Sequence, residues 1–331
     1  MSLNHLKSWS FNQKVTFSLL ALLVMMLFFG AFVTLFVQDD LQSFQQGEIG
    51  EKITALTEKM LDGNENQSEL FKGVNDLIKA VDSSKLNSGF YIQIVYNLIV
   101  FLGVSLLLGK VFLPKGIHSF TFKNKAPILF IASFVVAVNI QIIGSDALKL
   151  NEILGLDQLQ EYFTGTDKFD DLKNMITQYM FLLPNEHRGW LITLIGVALI
   201  PAVGEEFMFR GYLMKLLSSK FNHHNGIALS GLLFALIHFN LTNFFYYFVL
   251  GVVLGYMYYW GRNLLFPIIV HFINNALVVI VYLESISTGA IQTDDALDYS
   301  LRTYSIMAYA SVALCLVIFF MNYKRNKFIV K

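Results

Sequence analysis

Apolar runs of roughly 17–25 residues, the length a helix needs to cross a bilayer, recur from one end of this chain to the other. That repetition leaves one class of fold. A lipid-exposed backbone must satisfy its own N–H and C=O groups, so only helices or a closed barrel can span. A barrel would show short alternating strands instead of long apolar runs. Composition agrees, because the 331 residues are 55% hydrophobic and only 15% charged, whereas a soluble domain carries about 25% charged residues. The reading is an all-α, polytopic transmembrane helical bundle with about eight spans, near 15–37, 90–113, 127–144, 190–218, 226–240, 243–260, 264–284 and 303–322. The shortest, 226–240, ends at His238. The first run is too long for a signal-peptide core and leads into Val37-Gln-Asp-Asp40 with no small-x-small cleavage pattern.

Loop charge orients the bundle. Lys7 and Lys14 precede the first span, and Lys115, Lys123 and Lys125 join the second to the third. Lys215 and Lys220 lie at the end of the fourth, Arg262 follows the sixth, and the tail carries Lys324, Arg325 and Lys327. Between them lie acidic loops at 38–89, with ten acids and five lysines, and at 145–189, with eight acids and four bases. Basic segments stay inside, so both termini are expected in the cytoplasm and the acidic loops outside. The compact loops favour a multi-pass protein of a bacterial plasma membrane. The net charge is zero, with 24 basic and 24 acidic residues, which gives no surface for nucleic acid. Cys315 is the one cysteine, so neither an internal disulfide nor a multi-thiolate metal site can form.

Against this background Glu205, Glu206 and Arg210 stand out in the run Pro201-Ala-Val-Gly-Glu-Glu-Phe-Met-Phe-Arg210. A charge near the bilayer centre costs roughly 2.5–3.5 kcal/mol on insertion scales, so such residues face a bundle interior and carry function. Glu206 and Arg210 are four apart, the spacing of a helical ion pair, and read as structural. Glu205 is rotated off that face and left free for chemistry. Counting about 1.5 Å of rise per residue puts Glu205 near 22 Å from the outer face. The same count puts His238 about 18 Å and His271 about 10 Å from the inner face. These depths overlap, so the three can meet in one buried cavity. His271 and Asn275 share a helical face; Asn274 lies off it and serves as the comparison. A buried carboxylate can act as general base toward water, and imidazole and amide N–H groups can donate to an oxyanion. Two histidines and a glutamate are also the ligand set of some catalytic zinc sites.

Three motifs in successive helices carry a resemblance: Glu205-Glu206-Phe-Met-Phe-Arg210, Phe234-Ala-Leu-Ile-His238 and His271-Phe-Ile-Asn-Asn275. Their order and spacing resemble the CPBP intramembrane proteases, which include CaaX-processing endoproteases and bacterial proteins of bacteriocin self-immunity and abortive infection. The resemblance covers about residues 188–285, leaving 1–187 as an N-terminal membrane region with three spans and 286–331 as a last span and basic tail. It implies that Glu205 and His238 activate water while His271 and Asn275 stabilise the oxyanion. It also implies an endopeptidase acting near the C-terminus, or the membrane-proximal part, of a lipid-anchored or membrane-bound peptide or protein. Membrane lipids and such a substrate are the expected partners. The resemblance leaves open a metal-free glutamate mechanism or a bound Zn2+ with His238 and His271 as ligands; the chain has no His-Glu-x-x-His.

Two other classes remain. Buried Glu, Arg and His also serve ion-coupled carriers, although the chain lacks paired, Gly/Pro-broken spans in matching halves. A catalytically silent scaffold that binds a peptide is the other. Asn275 can also be a plain interhelical bridge. His223 and His224 read as solvated, the cluster Phe244-Phe-Tyr-Tyr-Phe248 as packing, and Gly251-x-x-x-Gly255 as a site of close helix approach.

Overall fold

The computed structural model describes residues 3–46, 48–62, 73, 76, 83–165, 189–288 and 294–329. Every element longer than an isolated bridge among them is helical. In chain order these are α1 (Leu3–Lys7), α2 (Phe11–Gln46), α3 (Glu48–Asp62) and α4 (Ser83–Asn97). A π-helical segment π1 (Leu98–Gly103) continues α4 into α5 (Val104–Phe112), followed by α6 (Pro127–Ile153) and α7 (Leu156–Thr164). The next membrane rod is composite: α8 (Trp190–Leu194), π2 (Ile195–Leu199), α9 (Ile200–Glu206), π3 (Phe207–Leu213) and α10 (Met214–Ser218). Then come α11 (His223–Leu236), α12 (Phe244–Gly261), α13 (Leu265–Thr288) and α14 (Asp294–Ile329). Of the acidic loops, 47, 63–72, 74, 75, 77–82 and 166–188 lie outside the described residues, and the rest belongs to α2, α3, α4, α6, α7 and their connections.

Local chemistry sets the element ends. Pro127 opens α6, where its fixed φ and missing N–H cost nothing. Asn222 caps α11, its side chain accepting from the backbone N–H of Asn225 at 2.8 Å. Among the described residues, six stretches are long and apolar enough to cross a membrane: Phe11–Phe28, Gly89–Phe112, Pro127–Ile153, Trp190–Ser218, Phe244–Gly261 and Tyr304–Asn326. This is a multi-pass membrane protein with an all-α bundle. One of the spans read from the sequence differs in detail. The run 226–240 is not a continuous helix, because α11 stops at Leu236 and the chain turns at 237–239. At 14 residues α11 reaches about 21 Å, short of a hydrocarbon core of about 30 Å. Apolarity carried the reading past the turn.

α6 is the hub of the bundle and packs against α12, α13 and α14. Its buried residues Val136, Ala137 and Ile140 join Val100, Phe209, Phe234, Phe266 and Val270 in one apolar core. α11 lies along α12 with no side chain between them at one point. A Cβ on Gly251 would sit 2.8 Å from the Cα of Gly231, so both positions must be glycine for the backbones to touch. The Gly251-x-x-x-Gly255 pattern therefore marks a real crossing, with Gly255 against Ile227. Gly251→Ala is expected to force α11 and α12 apart and destabilise the protein by about 1–3 kcal/mol. Thermal unfolding in detergent measures it; a variant that melts with wild type would show that the crossing is slack.

Candidate functional site

The two carboxylates end α9, at the junction where α-helical hydrogen bonding gives way to π3. Such single π turns widen a helix and recur at functional sites. Gly204, just before them, brings the backbone against π1: a Cβ there would lie 3.0 Å from Phe101 Cβ and 3.2 Å from the carbonyl of Asn97. Glu206 is fully buried. Its Oε1 accepts from Arg210 Nη1, and from His271 Nδ1 at 2.9 Å. Arg210, itself 1% exposed, spends a second donor on the carbonyl of Gly251 at 3.0 Å. Its guanidinium lies 4.7 Å over the ring of Phe234, a cation–π contact strengthened by the burial of both groups. The i,i+4 pair expected from the sequence is present, and His271 joins it.

Glu205 points to the other edge of the same imidazole. Its Oε2 lies 3.7 Å from His271 Nε2, too long for a hydrogen bond. That oxygen is buried and has no hydrogen-bond partner among the described residues. Glu206 Oε2 shares this condition. Orphaned buried carboxylate oxygens are costly and call for a ligand, a proton or a water. Tyr96 from α4, Tyr247 from α12, His238 and Arg210 all lie close enough to feel the charge of Glu205.

His238 sits in the turn after α11, not inside a helix as the apolar run implied. Its Nδ1 donates to the Phe234 carbonyl at 2.7 Å, which in the neutral ring leaves Nε2 as the acceptor. The ring stacks on Tyr247, with centroids 3.9 Å apart and planes 16° from parallel. Phe234 meets both histidines edge-on, 4.9 Å from His238 and 5.7 Å from His271. Phe239 follows at a positive φ of 49°, a strained conformation for a bulky residue. The turn is tied down from outside: Gln160 Oε1 accepts from the backbone N–H groups of Leu241 at 2.6 Å and Thr242 at 3.4 Å. Asn151 Oδ1 accepts from the N–H of Phe245 at 3.2 Å.

One turn beyond His271, Asn275 is half-buried and its Oδ1 faces Asn274 Nδ2 at 3.5 Å. Asn274, the residue set aside as the comparison, is the more buried of the two. Its Oδ1 accepts from Tyr246 OH at 2.7 Å and Gln141 Nε2 at 2.8 Å. Arg210, His238 and His271 thus gather around the Phe234 ring, with Glu206 bonded to Arg210 and His271, Glu205 facing His271, and Asn275 next along α13. Among the described residues, no three His, Cys, Asp or Glu side chains are grouped so as to hold a metal ion. No step below runs through a metal. His223 and His224 are exposed, as read, against Tyr259 and Tyr256.

Sequence reasoning missed Tyr247, the Gly251 carbonyl, Gln141 and Tyr246. A helix-period look at 244–251 could have raised Tyr247 and Gly251, which are four apart on one face of α12. Nothing in the sequence flags Gln141. Beside His238 lies an apolar cavity of about 510 Å³, lined by Leu19, Leu22 and Leu23 of α2 and by Leu236, Ile237 and Phe239.

Residues 187–277 match the family model described as type II CAAX prenyl endopeptidase Rce1-like. The match takes in all three motifs and supports the CPBP/CAAX protease family, and with it an intramembrane CAAX-type endopeptidase in general. No curated protein and no solved structure matches the chain.

Removing one partner of a buried ion pair strands the other, at about 3–5 kcal/mol. Glu206→Gln is therefore expected to lower stability by that order and Glu205→Gln by far less, since Glu205 holds no guanidinium. Unfolding midpoints of the two variants side by side decide it; equal losses would mean that both carboxylates are structural.

Proposed function

We propose that this protein is an intramembrane endopeptidase in which Glu205 is the general base and the substrate is a peptide held at the membrane by a lipid or a hydrophobic segment. The observation that carries the reading is the buried, unpartnered Oε2 of Glu205 facing His271 Nε2 across 3.7 Å. A water hydrogen-bonded to both fits that separation, since two bonds of about 2.8 Å can subtend it. Glu205 takes the proton as the water oxygen attacks the scissile carbonyl, and the same proton can pass to the leaving amine.

His238 supports the base role. With Nδ1–H committed to the Phe234 carbonyl, its Nε2 can accept from the same water. His271 is held by Glu206, and when protonated at Nε2 it donates to the oxyanion together with the N–H of Asn275. Glu206 and Arg210 do not touch substrate in this scheme; they fix the His271 ring. The apolar cavity between α2 and the His238 turn favours a hydrophobic chain attached to the scissile peptide. Loop charge favours both termini in the cytoplasm, and the compact loops favour a bacterial plasma membrane.

A carrier reading gains nothing specific from the geometry, because Arg210 and Glu206 neutralise each other and His271 is locked against them. The test is cleavage of a library of membrane-anchored C-terminal peptides by wild type and Glu205→Gln, with and without chelator. The amide keeps the shape of the carboxylate and removes the base, so cleavage is expected to fall by about 10²–10⁴-fold while the fold survives. Equal cleavage by both proteins would remove Glu205 as the base, and none by wild type across the library would put the carrier and scaffold readings ahead. Loss of wild-type cleavage on chelation would bring a metal into the step.

A further inference from the structure

Asn275 can help an oxyanion only if its N–H groups, and not its carbonyl oxygen, face the substrate. A carboxamide is nearly symmetric in shape, so its hydrogen-bond partners decide which end points where. The partners of Asn275 begin on a different helix, outside the segment matched to the family.

Gln141 of α6 places its Nε2 within reach of two oxygens of one residue, the backbone carbonyl of Asn274 at 3.2 Å and its Oδ1 at 2.8 Å. Two acceptors on that side force the donor end of Gln141 toward them. Tyr246 of α12 donates to the same Oδ1 at 2.7 Å. With two donors on it, Asn274 Oδ1 is saturated, and its Nδ2 has to point away. Asn275 Oδ1 lies there, 3.5 Å off. That long contact is the last link: an oxygen of Asn275 turned toward Asn274 leaves the N–H groups of Asn275 for the substrate. The junction is packed as well as bonded. Asn274 is 4% exposed, and the ring of Tyr246 lies over Gly144 of α6, where a Cβ would collide with it.

We propose that Gln141 and Tyr246 are positioning residues that act through Asn274 to set the amide orientation of Asn275 as an oxyanion donor. The inference rests on the endopeptidase reading, in which Asn275 serves that role. Its chemistry is a relay of direction, not of charge: donor, acceptor, donor, acceptor, with no proton moved.

The discriminating variant is Asn274→Asp. An aspartate keeps oxygens for Gln141 and Tyr246 and has no N–H to offer Asn275. Full-length protein in proteoliposomes is assayed with a membrane-anchored peptide that wild type cleaves, and with the phosphonate analogue of that peptide as a tetrahedral mimic. Asn274→Asp is expected to lower kcat by about tenfold or more with KM nearly unchanged, and to weaken phosphonate binding by a similar factor. In an Asn275→Ala background the same change is expected to do nothing further to either quantity. Phosphonate affinity carries the cycle if that background no longer turns over. Tyr246→Phe, which removes one oxygen and leaves the ring over Gly144, is expected to repeat the pattern more weakly and serves if Asn274→Asp does not fold. An undiminished loss in the Asn275→Ala background, or an effect confined to KM, would overturn the relay. If Glu205→Gln abolishes cleavage while the cycle is additive, this inference alone falls; if Glu205→Gln leaves cleavage intact, the site reading itself falls.

Discussion

One carboxylate oxygen holds the site together. Oε1 of Glu206 accepts from the guanidinium of Arg210 and from the imidazole of His271 at the same time. The first contact closes within the composite helix at the α9–π3 junction, and the second reaches α13. The unused donor of Arg210 reaches α12. Three helices are thereby joined by one anion and one cation with almost no exposure. Removing either member of a pair so deeply buried would strand the other, so the pairing favours a single arrangement of the bundle over a choice of registers.

Everything with chemical freedom in the site follows from that fixed pair. Because Glu206 claims Nδ1 of His271, the ring presents Nε2 to Glu205. Because Arg210 is claimed by Glu206, Glu205 keeps an oxygen without a hydrogen-bond partner among the described residues. The two adjacent glutamates therefore divide the labour by rotation about one helix axis, one anchored and one free. Phe234 fills the space between the guanidinium and both imidazoles, which keeps the polar groups apart from one another except along their designed contacts.

Much of this was legible in the sequence, and for local reasons. The i,i+4 spacing gave the Glu206–Arg210 pair, since it depends on geometry within a single helix, whereas the rise count for His238 ran past the end of α11 at Leu236 into a turn. The end of α11 was not legible, because the run stays mostly apolar through Phe239 and only a hydrogen-bond pattern marks the stop at Leu236. The π3 segment has no compositional signature, so the helical wheel could not show it. Asn274 was set aside because a wheel tells which face a residue occupies and nothing about the neighbour it faces. Its partners Gln141 and Tyr246 lie 133 and 28 positions away in the chain, a proximity that only packing creates. His271 reaching Glu206 as well as Glu205 is likewise a consequence of how two helices cross.

The contact between Arg210 and the carbonyl of Gly251 bears on how freely such a sequence can drift. A salt bridge ties two side-chain identities together, so a change in one demands a change in the other. A bond to a peptide carbonyl makes no demand on the side chain that carries it, and every residue has a carbonyl to give. What it requires is closeness, and here closeness is supplied by the missing side chains of Gly251 and Gly231. Most of α12 can exchange one apolar residue for another without disturbing its hold on the charged pair. The freedom ends at the crossing, where the smallest possible addition, one methyl group, would withdraw a partner from a charge that lies far from it in the chain.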